Sequence, residues 1–285
     1  MTVSDPLRSG LSGNGANAPA QPGVLQTLLS YRRYILTNAV EDLRQRYAGT
    51  GLGVLWNVVH PLAMIAIFSL VFSHIMPNRF KSEGGQTVSF LLYLCSGLLP
   101  WLAFSDCLGR VTGTFIENAG YLKKLAIPEL VFAMRTAVSS AITLGIYLAL
   151  LIATAFLLGH SPHWSWLLMV PAGLLMIGLG FGLGLCFGTL NVFFRDMAQM
   201  IALVLQLWMW LTPIIYSVEI LPASLHPLLW LNPFYPFVHI FREAFLFGTS
   251  GGLLAWGFAA AWAAGSLLLG RRILAKLAPE LRDVL

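Results

Sequence analysis

The stretch RQRYAGTGLGVLWNVVHP, from Arg44 to Pro61, joins two kinds of sequence that seldom meet in a soluble protein. It begins basic and aromatic, passes Gly49, Gly51 and Gly53, and then opens an apolar run that continues to residue 76. Closely spaced glycines allow a sharp change of chain direction. The stretch therefore predicts a turn at which a chain lying along a membrane surface begins to cross the membrane.

The composition of the whole chain agrees with that interpretation. The 285 residues are 57% hydrophobic and only 10% charged, whereas soluble domains contain about 25% charged residues. A soluble fold of this size needs more charge to cover its surface, so we predict an all-α polytopic membrane protein. The net charge of +5 is not gathered into one patch, which argues against a nucleic-acid partner.

Six apolar segments are long enough to cross a bilayer, which takes about 20 residues in a helix. The first 23 residues contain no apolar run and are rich in Gly, Pro, Ser and Asn, which is typical of a disordered cytosolic tail rather than a signal peptide. We predict a transmembrane domain over residues 49–270 and a cytosolic C-terminal tail over 271–285. The predicted spans are 53–76, 88–107, 131–158, 166–190, 198–217 and 251–270.

Residues 218–248 are apolar but interrupted by prolines, including Pro222 and Pro233. Proline removes a hydrogen bond that a lipid-exposed helix needs, so we predict a re-entrant helical hairpin on the periplasmic side, between the fifth and sixth spans. With both termini cytosolic, this topology leaves only Arg79, Lys81 and Arg242 of the 17 Lys and Arg residues outside. A full crossing would move the basic tail outside and weaken the positive-inside bias.

Residues 24–48 show a helical period before the first span. Leu36, Ala39, Val40 and Leu43 share one face and polar residues lie opposite, which predicts an amphipathic helix in the inner membrane interface.

Motifs of catalysis and nucleotide binding are not evident in the sequence. The histidines lack metal-ligand spacing, and the three cysteines are interpreted as small buried hydrophobes. The run GLGFGLGLCFG, Gly178–Gly188, lacks a GK[ST] sequence and predicts close helix packing instead. Ionisable groups near the midplane, which a coupled carrier needs, are almost absent. We therefore predict no cofactor or metal on this chain, no enzymatic activity of its own, and an external source of energy.

Four motifs resemble the permease subunits of ABC transporters that export polysaccharides, the O-antigen and teichoic-acid export family. The similarity runs from about Leu25 to the C-terminus. RYAGTGLGVLWNVVHP resembles the family's entry to the first span, and YLKKLAIPELVF its loop before the third span. FFRDMAQMIALVLQLWMWLTPIIYS resembles its fifth span, and LNPFYPFVHIFREAFLFG its second re-entrant helix.

The resemblance implies a homodimer in the bacterial cytoplasmic membrane. Two copies of a separate ATPase subunit would bind ATP and Mg, and the cargo would be a lipid-linked, O-antigen-like polysaccharide. The alternatives are a permease of the same architecture that exports teichoic acid, capsule, a drug or a small lipid, and a membrane-embedded transferase.

Three groups of residues are predicted to carry this function. The first would contact the ATPase: Glu117, Asn118, Tyr121, Lys123 and Lys124 in a short polar helix, with Tyr47. The second would line the pore or its entrance, because flat aromatic faces suit sugar rings: Trp56, Phe68, Phe104, Trp208, Trp210 and Tyr216, with Arg135 and Asp106. The third would shape the outer gate: Pro222, Trp230, Asn232, Pro233 and Tyr235.

Arg135 and Asp106 allow two interpretations, since both lie near the inner ends of neighbouring spans. They form an ion pair, which lowers the cost of each charge in lipid. Alternatively, Arg135 faces the pore mouth and binds a lipid diphosphate through its forked donors.

Overall fold

The computed structural model describes residues 24–46, 49–72, 79–81, 87–124 and 127–285, so the predicted tail over 1–23 lies outside the described residues. Regular structure in the described part is helical except for a short hairpin, β1 (Arg79–Lys81) antiparallel to β2 (Thr87–Ser89). The helices are α1 (Val24–Gln45), α2 (Trp56–Phe72), α3 (Phe90–Glu117), α4 (Ala119–Lys124), α5 (Glu129–Leu157), α6 (Met169–Phe193), α7 (Met197–Leu211), α8 (His226–Leu229), α9 (Tyr235–Arg242) and α10 (Gly252–Val284).

Five helical segments among the described residues are long and apolar enough to cross a membrane: Gly53–Phe72, Phe90–Glu117, Glu129–Leu157, Trp164–Phe193 and Gly252–Leu281. They correspond to five of the six predicted spans. Two of these helices are longer than the spans predicted within them: α3 continues ten residues past 107, and α10 includes most of the predicted tail. The fifth predicted span, 198–217, is helical only in α7, which has 15 residues and ends at Leu211.

α3 and α6 form the centre of the bundle, and glycines set the distance between α6 and its neighbours. In α3, 78% of the most apolar stretch is buried, against 17% in the segment that contains α2. A Cβ on Gly184 would lie 2.6 Å from Val111 of α3, and one on Gly182 would lie 2.5 Å from backbone atoms of Ser266 and Leu267 in α10. The glycine run therefore serves helix packing, as predicted.

The chain leaves helical geometry after α7, and the irregular segment that follows is enclosed by protein. Thr212, Pro213, Ile214 and Ile215 are buried in protein. Arg242 donates from Nη2 to the Ile214 carbonyl at 2.7 Å, and the Tyr93 hydroxyl donates to the Tyr216 carbonyl at 3.2 Å. Irregular backbone is tolerated at membrane depth only under such cover.

The predicted hairpin over 218–248 is built mainly of short pieces. Helical turns at Val218–Ile220 and Ala223–Leu225 lead to α8, and α9 ends in a wider π-helical turn at Glu243–Phe247. The carbonyls of Ala244 and Phe245 accept bonds from Ser165 and Trp166 in the connection before α6.

The segment predicted as an amphipathic helix is helical as α1, and half of the four residues named on its apolar face are packed. Ile35, Ala39 and Leu43 are buried where α1 meets α5, whereas Leu36 is 59% and Val40 43% exposed. The packed face is the one that also carries Asp42, whose ion pairs are described below.

Gly182→Ala is expected to lower the free energy of unfolding by about 1–3 kcal/mol, because the added methyl group collides with the α10 backbone. Thermal unfolding of the purified protein in detergent measures this. Gly145→Ala is the matched control, because a methyl group added to Gly145 in α5 would meet no atom within 4 Å, and the change should be neutral or slightly stabilising. Equal losses in the two variants would contradict the packing role.

Candidate functional site

In α1 and α3 an aspartate is followed four residues later by an arginine: Asp42 by Arg46, one residue past the end of α1, and Asp106 by Arg110 within α3. Side chains four residues apart lie on the same face of a helix, so each helix presents both signs of charge together. The two helices pair crosswise, Asp42 with Arg110 and Asp106 with Arg46. These crossed ion pairs fix α1 to the inner half of α3.

α5 completes the cluster with Arg135. Its Nη2 lies 3.6 Å from Oδ1 of Asp42 and donates to Oδ1 of Asn118 at 3.3 Å. The first of the two interpretations, a pair between Arg135 and Asp106, does not match these partners: Asp106 pairs with Arg46 and Arg110, while Arg135 pairs with Asp42. The reason is α1, which brings a second carboxylate between the two spans.

Serines of α5 add two hydrogen bonds to these charged groups. Ser140 donates to Oδ2 of Asp106 at 3.0 Å, and Arg110 donates to Oγ of Ser139 at 3.3 Å. The Asp106 side chain is only 9% exposed, so its charge depends on these partners.

The inner cluster (Asp42, Arg46, Asp106, Arg110 and Arg135) contains three guanidinium groups and two carboxylates. Nε of Arg135 is buried and makes no hydrogen bond within the described part of the chain. Because it has three positive and two negative groups, the cluster carries one formal positive charge in excess. Binding of a lipid diphosphate by Arg135 stays a prediction.

Asn232 is the centre of a second polar site, next to the end of α7. Its Oδ1 accepts from Nε1 of Trp208 at 2.7 Å and from the backbone N–H of Phe234 at 3.0 Å, and its Nδ2 donates to Oγ1 of Thr212 at 2.8 Å. One amide thus ties the turn after α8 to the end of α7.

Four rings pack beside Asn232. Phe104 lies 4.8 Å from Phe234 and 5.4 Å from Trp208, and Trp101 lies 4.9 Å from Phe234, between ring centroids. Phe104 is fully buried, so its predicted place on the pore wall is wrong. Trp208 is half-buried with its indole N–H bound to Asn232, which makes it a packing residue of the same core.

The other predicted gate residues divide into two groups. The Trp230 ring packs 5.2 Å from Tyr235 and 5.4 Å from Phe258 of α10, which fixes the turn to the last helix. Pro233 is half-buried beside Asn232, whereas Pro222 is exposed.

A second set of aromatic residues, partly buried or exposed, lies at the surface of the helical bundle. Phe68 of α2 packs against Phe72 at 6.2 Å and against Trp210 of α7 at 6.5 Å. Trp210 is 48% exposed, and its carbonyl accepts from the Tyr216 hydroxyl at 3.1 Å. We call Phe68, Phe72, Trp210 and Tyr216 the α2–α7 aromatic face. Trp56, at the inner end of α2, is also exposed.

The predicted ATPase contact is a short exposed helix, α4, with a buried anchor. Tyr121 is 60% exposed and Lys123 and Lys124 are exposed, while Leu122 is buried. Glu117 is exposed at the end of α3. Asn118 is buried and bonded to Arg135, so it belongs to the inner cluster rather than to the α4 surface. Tyr47 lies outside the described residues.

Comparison with known proteins decides the family. A model of the ABC-2 type transporter family matches residues 33–246. The chain belongs to this family. The matched region of this ABC-2 type transporter includes the inner cluster, α4, the α2–α7 aromatic face and Asn232.

Individual relatives of this ABC-2 type transporter cover most of its length. It is 30% identical over 219 residues to the O-antigen export system permease protein RfbA of Klebsiella pneumoniae, covering 75% of this chain and 80% of that protein. The protein of the same name from Myxococcus xanthus is 26% identical over 259 residues, 87% of this chain and 96% of that protein. The polysialic acid transport protein KpsM of Escherichia coli is 24% identical over 210 residues, which cover 73% of this chain and 80% of that protein.

Asp42→Asn is expected to destabilise the protein by about 1–3 kcal/mol, because Arg110 and Arg135 lose their shared carboxylate. Thermal unfolding in detergent and limited proteolysis of α1 measure the effect.

Glu41→Gln is the control for Asp42→Asn. It changes a neighbouring carboxylate whose pair with Arg44 is largely exposed, 4.0 Å apart, and it should leave both readouts nearly unchanged. If Asp42→Asn were as mild as this control, the crossed ion pairs would not hold α1.

Proposed function

We propose that this chain is the membrane subunit of an ATP-driven exporter that moves a lipid-linked polysaccharide across the bacterial cytoplasmic membrane. The observation that carries the proposal is the similarity, over three quarters of the chain or more, to O-antigen export permeases. The polysialic acid transport relative favours a capsular polysaccharide as the second candidate cargo. Both kinds of relative are named for long sugar polymers, which supports that cargo class over a drug or a small lipid.

The α2–α7 aromatic face supports the same cargo class. Neither α2 nor α7 contains Asp, Glu, Lys or Arg. A polymer that must slide needs a surface that contacts it without holding it. Aromatic rings stack on the apolar faces of sugar rings, while charged side chains bind sugar hydroxyls or acidic sugars more tightly. We assign this face to the export path.

A single protomer leaves that path open on one side. In α7 only Ile201 and Leu205 are buried, and α2 is mostly exposed. We propose that two copies of the chain bring their α2–α7 aromatic faces together around a pore. In this arrangement α7 and the extended residues 212–217 form the sixth crossing, the pieces between Val218 and Phe247 form the outer re-entrant gate, and both termini are cytosolic.

ATP hydrolysis would drive the movement of this chain through contacts at α4. A separate ATPase subunit, carrying ATP and Mg, would contact Tyr121, Lys123 and Lys124 on the cytosolic side. α4 follows directly on Asn118, which bonds to Arg135, and Arg135 pairs with Asp42 of α1. Through these contacts, a movement of α4 would displace the inner ends of α1, α3 and α5. This chain of contacts couples the ATPase to α1, which leads into α2 and the export path.

Reversal of the α4 charges tests this account. A host that lacks the chain should lose its surface polysaccharide and accumulate the lipid-linked polymer inside, and the wild-type gene should restore export. Lys123→Glu with Lys124→Glu should fail to restore it, with surface polymer at least about tenfold lower, because reversed charges oppose docking at the proposed ATPase contact. Surface staining and the level of folded permease are the measurements.

The control is Arg272→Glu with Lys276→Glu, which makes the same charge change at exposed cytosolic positions of α10. It should restore export. Equal failure of both double variants would contradict a specific role of α4, while normal surface polysaccharide in the host without the chain would contradict the proposed function.

A further inference from the structure

A groove runs down one side of the bundle, between α5 and α10, with α6 as its floor. Its volume is about 470 Å³. The α6 residues that line the groove include Leu174, Gly178, Phe181 and Leu185. The glycines that contact α3, Gly180, Gly184 and Gly188, are not part of this lining. The groove is formed because α5 and α10 both pack on α6 but scarcely touch each other.

The lining of the groove is apolar along its whole length and charged at one end. Its walls are Leu, Met, Ala, Val, Ile, Gly and Phe, and the one charged residue is Arg271. Leu130 lies in the first turn of α5, and Arg271 is exposed on α10 at the side of the membrane that we assign to the cytosol. The wall from Leu130 to Ala141 is about 16 Å long at 1.5 Å per residue.

That length equals about half of a hydrocarbon core of roughly 30 Å. The groove thus spans one leaflet, from the inner surface to the midplane, and its charge sits at headgroup level. We propose that it is a binding site for an anionic glycerophospholipid of the inner leaflet, with one acyl chain along α6 and the phosphate on Arg271.

The chemistry of the groove selects this occupant. An amphiphile with a long apolar body and one anionic end matches an apolar channel with one cation at its end, and the arginine fork suits phosphate oxygens. A sugar would need several polar partners along the groove, and the lining supplies none beyond Arg271. The α2–α7 aromatic face is made by other helices, so the site is separate from the proposed export path and does not depend on which polymer is exported.

The bound lipid would have a structural effect. α10 is held mainly by α6, and only 22% of its most apolar stretch is buried. An acyl chain in the groove adds apolar contacts to both α5 and α10. We therefore expect the lipid to stabilise the folded protein in proportion to its occupancy.

Thermal unfolding in a neutral detergent, with added dioleoyl phosphatidylglycerol, tests the site. The wild-type protein should show a saturable rise in Tm of about 3–8 °C. Ala141→Phe, which fills the groove, should remove most of the rise. Arg271→Gln should raise the lipid concentration needed at least about tenfold, and Arg271→Lys should retain part of the affinity because it keeps the charge but loses the fork.

Matched controls separate the groove from general lipid effects. Ala264→Phe places the same ring at an exposed position of α10 that does not line the groove, and Arg272→Gln removes the neighbouring charge; both should respond like the wild type. Glycerol 3-phosphate should give no rise, since it lacks acyl chains, and dioleoylglycerol only a weaker one, since it lacks phosphate. If Ala141→Phe does not fold, Arg271→Gln, at an exposed position, still decides the question.

Several results would overturn the proposal. If the Tm of Arg271→Gln rose by the same amount and at the same lipid concentration as that of the wild type, Arg271 would not bind the phosphate. If Ala264→Phe lost the Tm rise as fully as Ala141→Phe, the groove would not be the binding site. A rise with a polyprenyl phosphate but not with phosphatidylglycerol would assign the groove to an isoprenoid carrier instead. A groove variant that changed the oligomeric state would assign it to a second copy of the chain.

Discussion

Hydrocarbon does not solvate charge or free backbone groups, and this constraint accounts for both polar centres of the protein. In the inner cluster, the crossed ion pairs join four of the five charged side chains, and Arg135 of α5 pairs with Asp42. After Leu211 the chain leaves helical geometry, and Arg242 donates to the buried carbonyl of Ile214 while its guanidinium carbon lies 3.8 Å from the centre of the Tyr93 ring. Each centre joins helices that are distant in sequence. Together they hold the two ends of the bundle.

Between these centres the bundle is divided into a rigid part and a lightly packed part. Glycines of α6 let the backbones of α3 and α10 each come close to the backbone of α6, and α3 is largely buried. α2 and α7 have few contacts within the protomer, although they carry the aromatic residues best placed to meet a polymer. A transporter needs such a division, because the path must change shape while the scaffold keeps the inner and outer ends in place. The proposed dimer would cover α2 and α7 without disturbing α6.

The sequence predicts features that depend on local composition, such as apolar helices and breaks at prolines. It does not predict features that depend on contacts between helices. Apolar runs located five spans well, and prolines marked the broken segment after α7. The second predicted span ends at 107, whereas α3 continues to Glu117 with Asp106 and Arg110 in ion pairs. The signal was present as the Asp-x-x-x-Arg spacing in both α1 and α3. No such signal distinguishes Phe104, which is buried in the core, from Trp210, which is exposed, since the choice depends on how α3 and α7 are rotated in the bundle.

The central claim is that the exported polysaccharide passes along the α2–α7 aromatic face. A photoreactive amino acid placed at Trp210 in cells that make the polymer tests it most directly, with the same substitution at Leu174, which is 62% exposed and lines the lipid groove, as the reference position. The account predicts light-dependent attachment of polysaccharide at position 210 and attachment of lipid alone at position 174. Polysaccharide attached equally at both positions, or only at 174, would contradict it.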